Sequence, residues 1–538
     1  MSAQTYYITT PIYYVNDKPH IGHCYSTLLA DCLARSMRLA GRDTFFLTGT
    51  DEHADKVATS AQENGVTTLE WADRNAAAFR AAFEELRFSN DDFIRTTEPR
   101  HTQRVQAFIE KLLETGDVEL GDYSGWYDPS QEEYVTENTA REHDYTSPVS
   151  GKPLVQRTEQ NYFFRLSRYA DKLQHLIEST AEKGTPFIRP EARQNEVLGR
   201  IKAGLQDVPI SRAVKDDDPA SGWGIRMPGD DKHRVYVWID ALFNYLSTVD
   251  TEERRRYWPA DVHVIGKDIL WFHAVIWPCL LMALGEKLPG YILAHSWWIR
   301  EGRKMSKSLG NFIDLPTMRT YSEAFGDDAV RWYLLTQGPL GATDADFAHD
   351  KFIETYNTDL ANGIGNAFSR VSNMIAKYFN GACPAPGDEG ADIAALTTDI
   401  AQQTIGDLDA GDVAGALHNR GLLLSNRIDA FIHATEPFKL AKDPANMAQV
   451  GAILYTCAET LRIAAILLTP AMPDRMAELL RRLGQPVPDG HGVIRDDAGS
   501  ALPLAELCTW GRLQPGTTIS KGDALFPRAD ADAPPPAA

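Results

Sequence analysis

The spacing of apolar positions along the chain changes character three times. Residues 6–10 form a strand-like run, followed by a turn-rich stretch carrying Pro11, Asn16, Asp17 and Pro19. From His20 to about Met37 the apolar positions switch to helical spacing, with Leu28, Leu29, Cys32, Leu33 and Met37 recurring on one face. A second strand over 44–48 and a polar–apolar helix from about 68 to 86 continue the alternation, so residues 1–115 predict βαβ units and a parallel sheet. Residues 116–220 break the pattern with short aromatic-rich strands over 123–127, 133–136 and 161–166, which predicts an insertion between two halves of one sheet. Strands resume at 235–239, 262–265 and 291–295, within a second half spanning 221–355. From about 356 to 483 the pattern is almost wholly helical and predicts a bundle, within a domain spanning 356–528. Residues 529–538, rich in Ala, Pro and Asp, predict a disordered tail.

Length and composition fit this division. A chain of 538 residues exceeds what one hydrophobic core serves, and 43% hydrophobic with 24% charged residues is ordinary for a globular protein. No apolar run of roughly 18 residues and no signal-peptide pattern are evident, so no membrane partner is expected. The six cysteines are scattered without Cys-x-x-Cys, which predicts reduced thiols and a cytoplasmic location. A net charge of −20 looks wrong for a nucleic-acid binder. Net charge governs solubility and steering, however, so local cations such as Arg189, Arg193, Arg200, Lys202, Arg370 and Lys377 decide that question.

Two motifs carry chemistry. His20-Ile21-Gly22-His23 opens the first helix, where unpaired N–H groups and the positive end of the helix dipole suit a phosphate. The two histidines lie one turn apart, and Gly22 leaves room for a ligand to approach the backbone. Far downstream, Lys304-Met305-Ser306-Lys307-Ser308 offers two cations spaced by three, able to face a triphosphate as pyrophosphate leaves. Either motif alone is weak, since paired surface histidines and basic clusters are common.

Together, in this order and separation, they resemble the paired nucleotide-binding signatures of class I aminoacyl-tRNA synthetases. The resemblance sharpens to the methionyl-tRNA synthetases through YYITTPIYYVNDKPHIGH at the N-terminus, FLTGTDEH around Asp51, YVWIDALFNYL around Trp238, IGKDILWFHAVIWP around Asp268 and His273, and WGRL at Trp510. It implies an α/β, Rossmann-like catalytic domain split by a connective insertion, followed by an α-helical anticodon-binding bundle. It implies activation of methionine with ATP and Mg2+ to methionyl-adenylate, then transfer to tRNA(Met), including the initiator. By the same resemblance, His20, His23, Lys304 and Lys307 are catalytic, and Asn16, Gly266 and Asp268 join them in binding ATP. Ile12, Tyr14, Trp238, Ala241, Leu242, Tyr245, Ile269 and His273 would form the methionine site, with Asp51 on the substrate ammonium. Sulfur beside aromatic edges is favourable by about 0.3–1.5 kcal/mol. One methylene in an apolar pocket discriminates by only about 1–3 kcal/mol, so homocysteine should leak in, and the resemblance implies an editing cyclisation.

Many bacterial relatives carry a zinc knuckle in the insertion. Here the comparable segment reads Asp128-Pro129-Ser130-Gln131, with His143 a lone candidate ligand, so no zinc is expected and Trp126, Tyr127, Tyr134 and Phe163 should hold the segment by packing. In the bundle, Asn366 and Arg370 lie four apart on one helix face and match the family's anticodon readers, with Phe438 after Pro437 as a stacking surface. The sequence stops soon after Arg528, where longer relatives add a dimer-forming domain, which predicts a monomer. Leucyl, isoleucyl and valyl enzymes carry larger editing insertions than the one here, and a cysteinyl enzyme would want cysteine ligands for zinc. An inactive tRNA-binding paralogue would usually have lost His20, His23 or Lys307.

Overall fold

The computed structural model describes residues 4–536 apart from 16, 17, 131, 132, 136, 216, 217, 301, 306–311, 410–415, 417–421 and 533. A six-stranded sheet organises the first half. In chain order its strands are β1 (Thr5–Tyr14), β2 (Asp43–Asp51), β3 (Asp92–Arg95), β4 (Ile188–Arg189), β5 (Val262–Gly266) and β6 (Tyr291–His295). Across the sheet they run β3-β2-β1-β5-β6-β4, and every pair is parallel. The order reverses between β1 and β5, and ligands of such sheets bind beyond the strand ends at that reversal.

Three differences from the sequence reading bear on the site. First, β1 continues past Pro11 to Tyr14, because the register shifts between Thr9 and Ile12. That irregularity leaves proline, which has no N–H, outside the ladder. Second, residues 235–239 are not a strand. The strand Asp230–Val235 turns at Tyr236 into a helix, Val237–Ser247, whose apolar residues other than Trp238 are buried. A short continuous apolar run cannot be told apart as buried strand or buried helix by periodicity. Third, Ile188–Arg189, inside the segment expected to be wholly inserted, returns to the main sheet as β4 beside β6.

The rest of the insertion is an antiparallel sheet in which Val118–Asp128 pairs with both Val155–Phe164 and Glu133–Val135. At its tip, hydroxyls and a carboxylate tie two turns together. Asp128 Oδ1 accepts from Ser130 N at 2.8 Å and from Ser130 Oγ at 2.6 Å, and Ser130 Oγ reaches Ser150 Oγ at 2.7 Å. Ser147 Oγ in turn accepts from Val149 N and Ser150 N. Beneath them Trp126 packs on Val135, Ala140 and Leu154 and on Tyr145, with ring centroids 4.5 Å apart. Among the described residues no three His, Cys, Asp or Glu side chains converge as a metal-ligand set.

The helical part contains Asn366–Phe379, Leu422–Thr435 and Met447–Leu468, packed against one another. By length and hydropathy the segment Pro444–Leu468 qualifies as a membrane span, which amends the expectation that no such stretch exists, but its apolar window is completely buried inside the bundle. It also carries a buried ion pair, Glu459–Arg462, at 2.7 Å. Glu459 accepts the backbone N–H groups of Gly511, Arg512 and Leu513, which gives the WGRL segment a structural role. Ala529, at the start of the expected disordered tail, exchanges two hydrogen bonds with Asn357. All six cysteines are buried free thiols.

Candidate active site

The helix that follows β1, α1 (Ile21–Leu39), begins with a reciprocal cap. His20 is its N-cap, and its Nδ1 accepts from Gly22 N at 3.1 Å while His23 Nδ1 accepts from His20 N at 3.4 Å. Because each Nδ1 accepts, each ring carries its proton on Nε2. The rings stack with centroids 3.8 Å apart. Burial, with His20 alongside, holds His23 well below the ordinary histidine range, so it is neutral at pH 7. Tyr13 supports it from behind, with its ring 4.9 Å from that of His23 and its hydroxyl donating to the His23 carbonyl.

The chain just beyond the lysine pentapeptide joins this cap directly. Ile21 N donates to Ile313 O at 3.2 Å, His20 and Asp314 form a β-bridge, and Phe312 lies edge-on to the His20 ring. His20, Gly22, Met305 and Phe312 line one cavity of about 240 Å³ together with Asp268, His295 and Trp297. Asp268 follows β5, and its carboxylate packs close over Gly266 at the strand end, where a Cβ would lie 2.5 Å from Asp268 Oδ1. Trp297 Nε1 donates to Asp268 Oδ1 at 3.1 Å. Lys267 pairs with Asp344 at 2.6 Å and sits over the Trp297 ring. His295, at the end of β6, meets Ser26 of α1 at 2.7 Å. Asn16 and Lys307 lie outside the described residues, and Lys304 is placed only as backbone, in a short strand with Arg303.

The residues expected around methionine gather at the neighbouring strand ends. Tyr14 and Asp51 are register partners on β1 and β2. Tyr14 meets Trp238 edge to face at 5.8 Å, and Trp238 stacks on Phe272 at 4.1 Å. One helical turn on from Ala241 and Leu242, Tyr245 donates its hydroxyl to His273 Nε2 at 2.7 Å. His273 Nδ1 donates in turn to the Ile269 carbonyl at 3.0 Å. His273 opens out on a π-helical segment, Phe272–Ile276, followed by Pro278, which has no N–H for the Ala274 carbonyl. Burial pushes His273 down to about 4. His263 beneath it is held well below its usual range by burial with His273 nearby. The two histidines of this aromatic cluster are therefore neutral at pH 7. Ile12 and Ile269 are partly buried against the same core cluster.

In the bundle, Asn366 and Arg370 converge on one acceptor. Asp429 takes Arg370 Nη1 at 2.6 Å and Asn366 Nδ2 at 3.3 Å. Phe438 is 43% exposed. Of the cations proposed for nucleic acid, Arg193 is half-spent within the fold, donating to Ser296 Oγ and the Ala342 carbonyl beside the cavity. Sequence reasoning missed Phe272, Trp297, His295 and Asp429. Each is an aromatic, a histidine or an acid of common type, and only Phe272 carried a signal, as the neighbour of His273 in a quoted segment.

Comparison with known proteins gives a consistent result. The family described as tRNA synthetases class I (M) matches residues 6–143 and 140–372. A methionine–tRNA ligase of Streptomyces coelicolor is 41% identical over 546 residues, covering 98% of this chain and 97% of its own length. One of Caldanaerobacter subterraneus is 41% identical over 98% of this chain and 80% of its own. Among solved structures, Mycobacterium tuberculosis methionyl-tRNA synthetase in complex with methionyl-adenylate superposes with a TM-score of 0.86 at 37% identity, covering 98% of this chain and all of that one. Its apo form gives 0.80 at 35% identity. With more than half of the sequence inside the family's match and the divided site present in the fold, the chain belongs to the methionine family of class I tRNA synthetases.

Proposed function

We propose that this chain is a methionine–tRNA ligase: it activates methionine with ATP to methionyl-adenylate and transfers the methionyl group to tRNA(Met). The observation that carries the reading is the His20–Asp314 bridge, which brings the capped N-terminus of α1 and the chain beside the lysine pentapeptide onto one cavity. No protein nucleophile is needed. The methionine carboxylate attacks the α-phosphorus, and the protein contributes positioning and stabilisation of phosphate charge. His20 and His23 offer Nε2–H donors, and Lys304 and Lys307 offer charge. Asp268 and Gly266 take the ribose and adenine side, and Asp51 takes the substrate ammonium. ATP arrives with Mg2+, which needs no all-protein cage.

The decisive measurement is ATP–pyrophosphate exchange with a panel of amino acids. Methionine should support exchange, and exchange with leucine or cysteine but not methionine would overturn the reading. Within the pocket, Tyr245→Phe leaves His273 Nε2 without its donor. A buried acceptor left unpaired costs about 1–3 kcal/mol, so the KM for methionine should rise about tenfold while the KM for ATP stays near wild type.

Asn366, Arg370 and Phe438 are assigned to the anticodon, with Asp429 presenting the first two. Arg370 is about a third exposed, so the ion pair itself adds little stability. Asp429→Ala should leave methionine-dependent exchange unchanged and lower kcat/KM for tRNA about tenfold, as expected when two base-reading groups lose their orientation. Equal tRNA kinetics in the two proteins would remove Asp429 from this role.

A further inference from the structure

The sequence Asp51-Glu52-His53 closes β2, and only Asp51 has been given a task. Its two neighbours are fixed unusually firmly. Glu52 is fully buried and accepts Arg95 in a two-pronged pair, Nε at 2.7 Å and Nη2 at 3.0 Å, together with the Thr50 hydroxyl at 2.8 Å. His53 is 8% exposed, and its Nδ1 lies 2.6 Å from Asp240 Oδ2. Asp240 is fully buried, and its other oxygen, Oδ1, takes His101 Nε2 at 2.6 Å; His101 Nδ1 then meets Ser247 Oγ at 2.8 Å. Asp240 and Ser247 both stand on the helix Val237–Ser247 that also carries Trp238, Ala241, Leu242 and Tyr245.

His53 has a second contact through its backbone. Its N–H donates to Asp51 Oδ1 at 3.4 Å. One residue therefore grips the carboxylate assigned to the ammonium by its main chain and the helix assigned to the side chain by its imidazole. Trp223 closes over it, with ring centroids 5.4 Å apart and its indole N–H on the Glu52 carbonyl at 2.6 Å. The carboxylate between two imidazoles is also held ionised. Burial alone would raise Asp240, but His53 and His101 hold it below the usual carboxylate range.

From this arrangement we infer that His53, acting through Asp240, is a positioning residue for methionine: it sets the distance between the ammonium-binding carboxylate on β2 and the aromatic pocket on the 237–247 helix. The inference rests on the methionine reading of the site. Methionine bears its ammonium and its thioether at opposite ends, so a pocket that recognises both must hold two elements in fixed register. An error of about 1 Å in such a register is worth on the order of 10²-fold. A group that sets only this register leaves the ATP cavity, built on α1, β5 and β6, undisturbed.

The test uses the full-length enzyme in methionine-dependent pyrophosphate exchange. Absence of methionine-dependent exchange in the wild type would defeat the functional reading itself, whatever the variants do. Given wild-type exchange, His53→Gln and His53→Asn are compared. The asparagine amide overlies imidazole Nδ1 and keeps the bond to Asp240, whereas the glutamine amide falls near Nε2 and loses it. His53→Gln should raise the KM for methionine at least about tenfold with the KM for ATP within twofold of wild type, and His53→Asn should restore methionine KM to within about threefold. Asp240→Asn should reproduce the glutamine phenotype. A methionine KM that does not move in His53→Gln overturns the inference. So does an ATP KM that moves with it, or an asparagine variant no better than glutamine, since a merely structural histidine would give those results.

Discussion

Asp31→Asn should destabilise the protein by about 3–5 kcal/mol at pH 7, read as a lowered urea midpoint, because it leaves two buried guanidinium groups facing a neutral amide. Asp31 is fully buried on α1 and uses both oxygens. Oδ2 takes Arg35 Nε at 2.9 Å and Arg331 Nη2 at 2.7 Å, and Oδ1 takes the Ser89 N–H and hydroxyl at 2.7 Å each. The two arginines reach on into the helical part, Arg331 to the carbonyls of Pro470 and Ala471 and Arg35 to that of Gly490. A single carboxylate thus joins the helix that starts at the His20 cap to the helical part of the chain. Burial opposes its ionisation, but Arg35 and Arg331 hold it well below the usual carboxylate range. With a folded value below the unfolded one, its contribution is complete above about pH 4 and is lost as the pH falls further. The gap between wild type and variant should therefore be widest at neutral pH and narrow in acid. Equal urea midpoints at pH 7 would show that the guanidiniums find other partners.

That hub marks the limit of what the chain discloses when read as sequence. The helix beginning at His20 and the strands at 262–265 and 291–295 were legible, because local periodicity and turn residues determine them. The two motifs proposed for ATP were readable in the same way, since a helix opening at His20 and a pair of lysines are local patterns, although Lys307 lies outside the described residues. Resemblance, not periodicity, supplied Trp238, Tyr245 and His273: aromatic residues in apolar runs read as core until something places them together. The run at 235–239 failed for the related reason that a few buried apolar residues fit either period. Asp31 with Arg331, and His53 with Asp240, were out of reach altogether. Each pair joins positions hundreds of residues apart or on different elements, and one Asp or His among many carries no local mark of its partner. The knuckle shows a middle case, in which the missing thiolates were visible but the serine and aspartate bonds that tie the turns were not.

Lys307→Ala should lower the turnover of methionine-dependent pyrophosphate exchange at least about 10²-fold, the loss seen when one preorganised group facing developing charge is removed, with methionine binding little changed. His23 is held neutral by burial, and the mutual cap fixes the proton of each ring on Nε2, so His20 and His23 donate hydrogen bonds without adding positive charge. The N-terminus of α1 supplies at most about half an elementary charge. Asp268 lies on the same cavity and adds a negative one. Met305 and Phe312, on either side of Lys307 in sequence, both line that cavity, so the pentapeptide lysines are expected to take a share of the charge on the departing pyrophosphate beside the Mg2+ that arrives with ATP. Two further variants separate charge from bonding. Lys307→Arg keeps the cation and should recover much of the turnover, whereas His23→Gln, which keeps a donor but no charge, should cost less than Lys307→Ala. Exchange turnover unchanged in Lys307→Ala would sink the role, and a larger loss in His23→Gln than in Lys307→Ala would move the burden of stabilisation from charge to the hydrogen bonds of the helix cap.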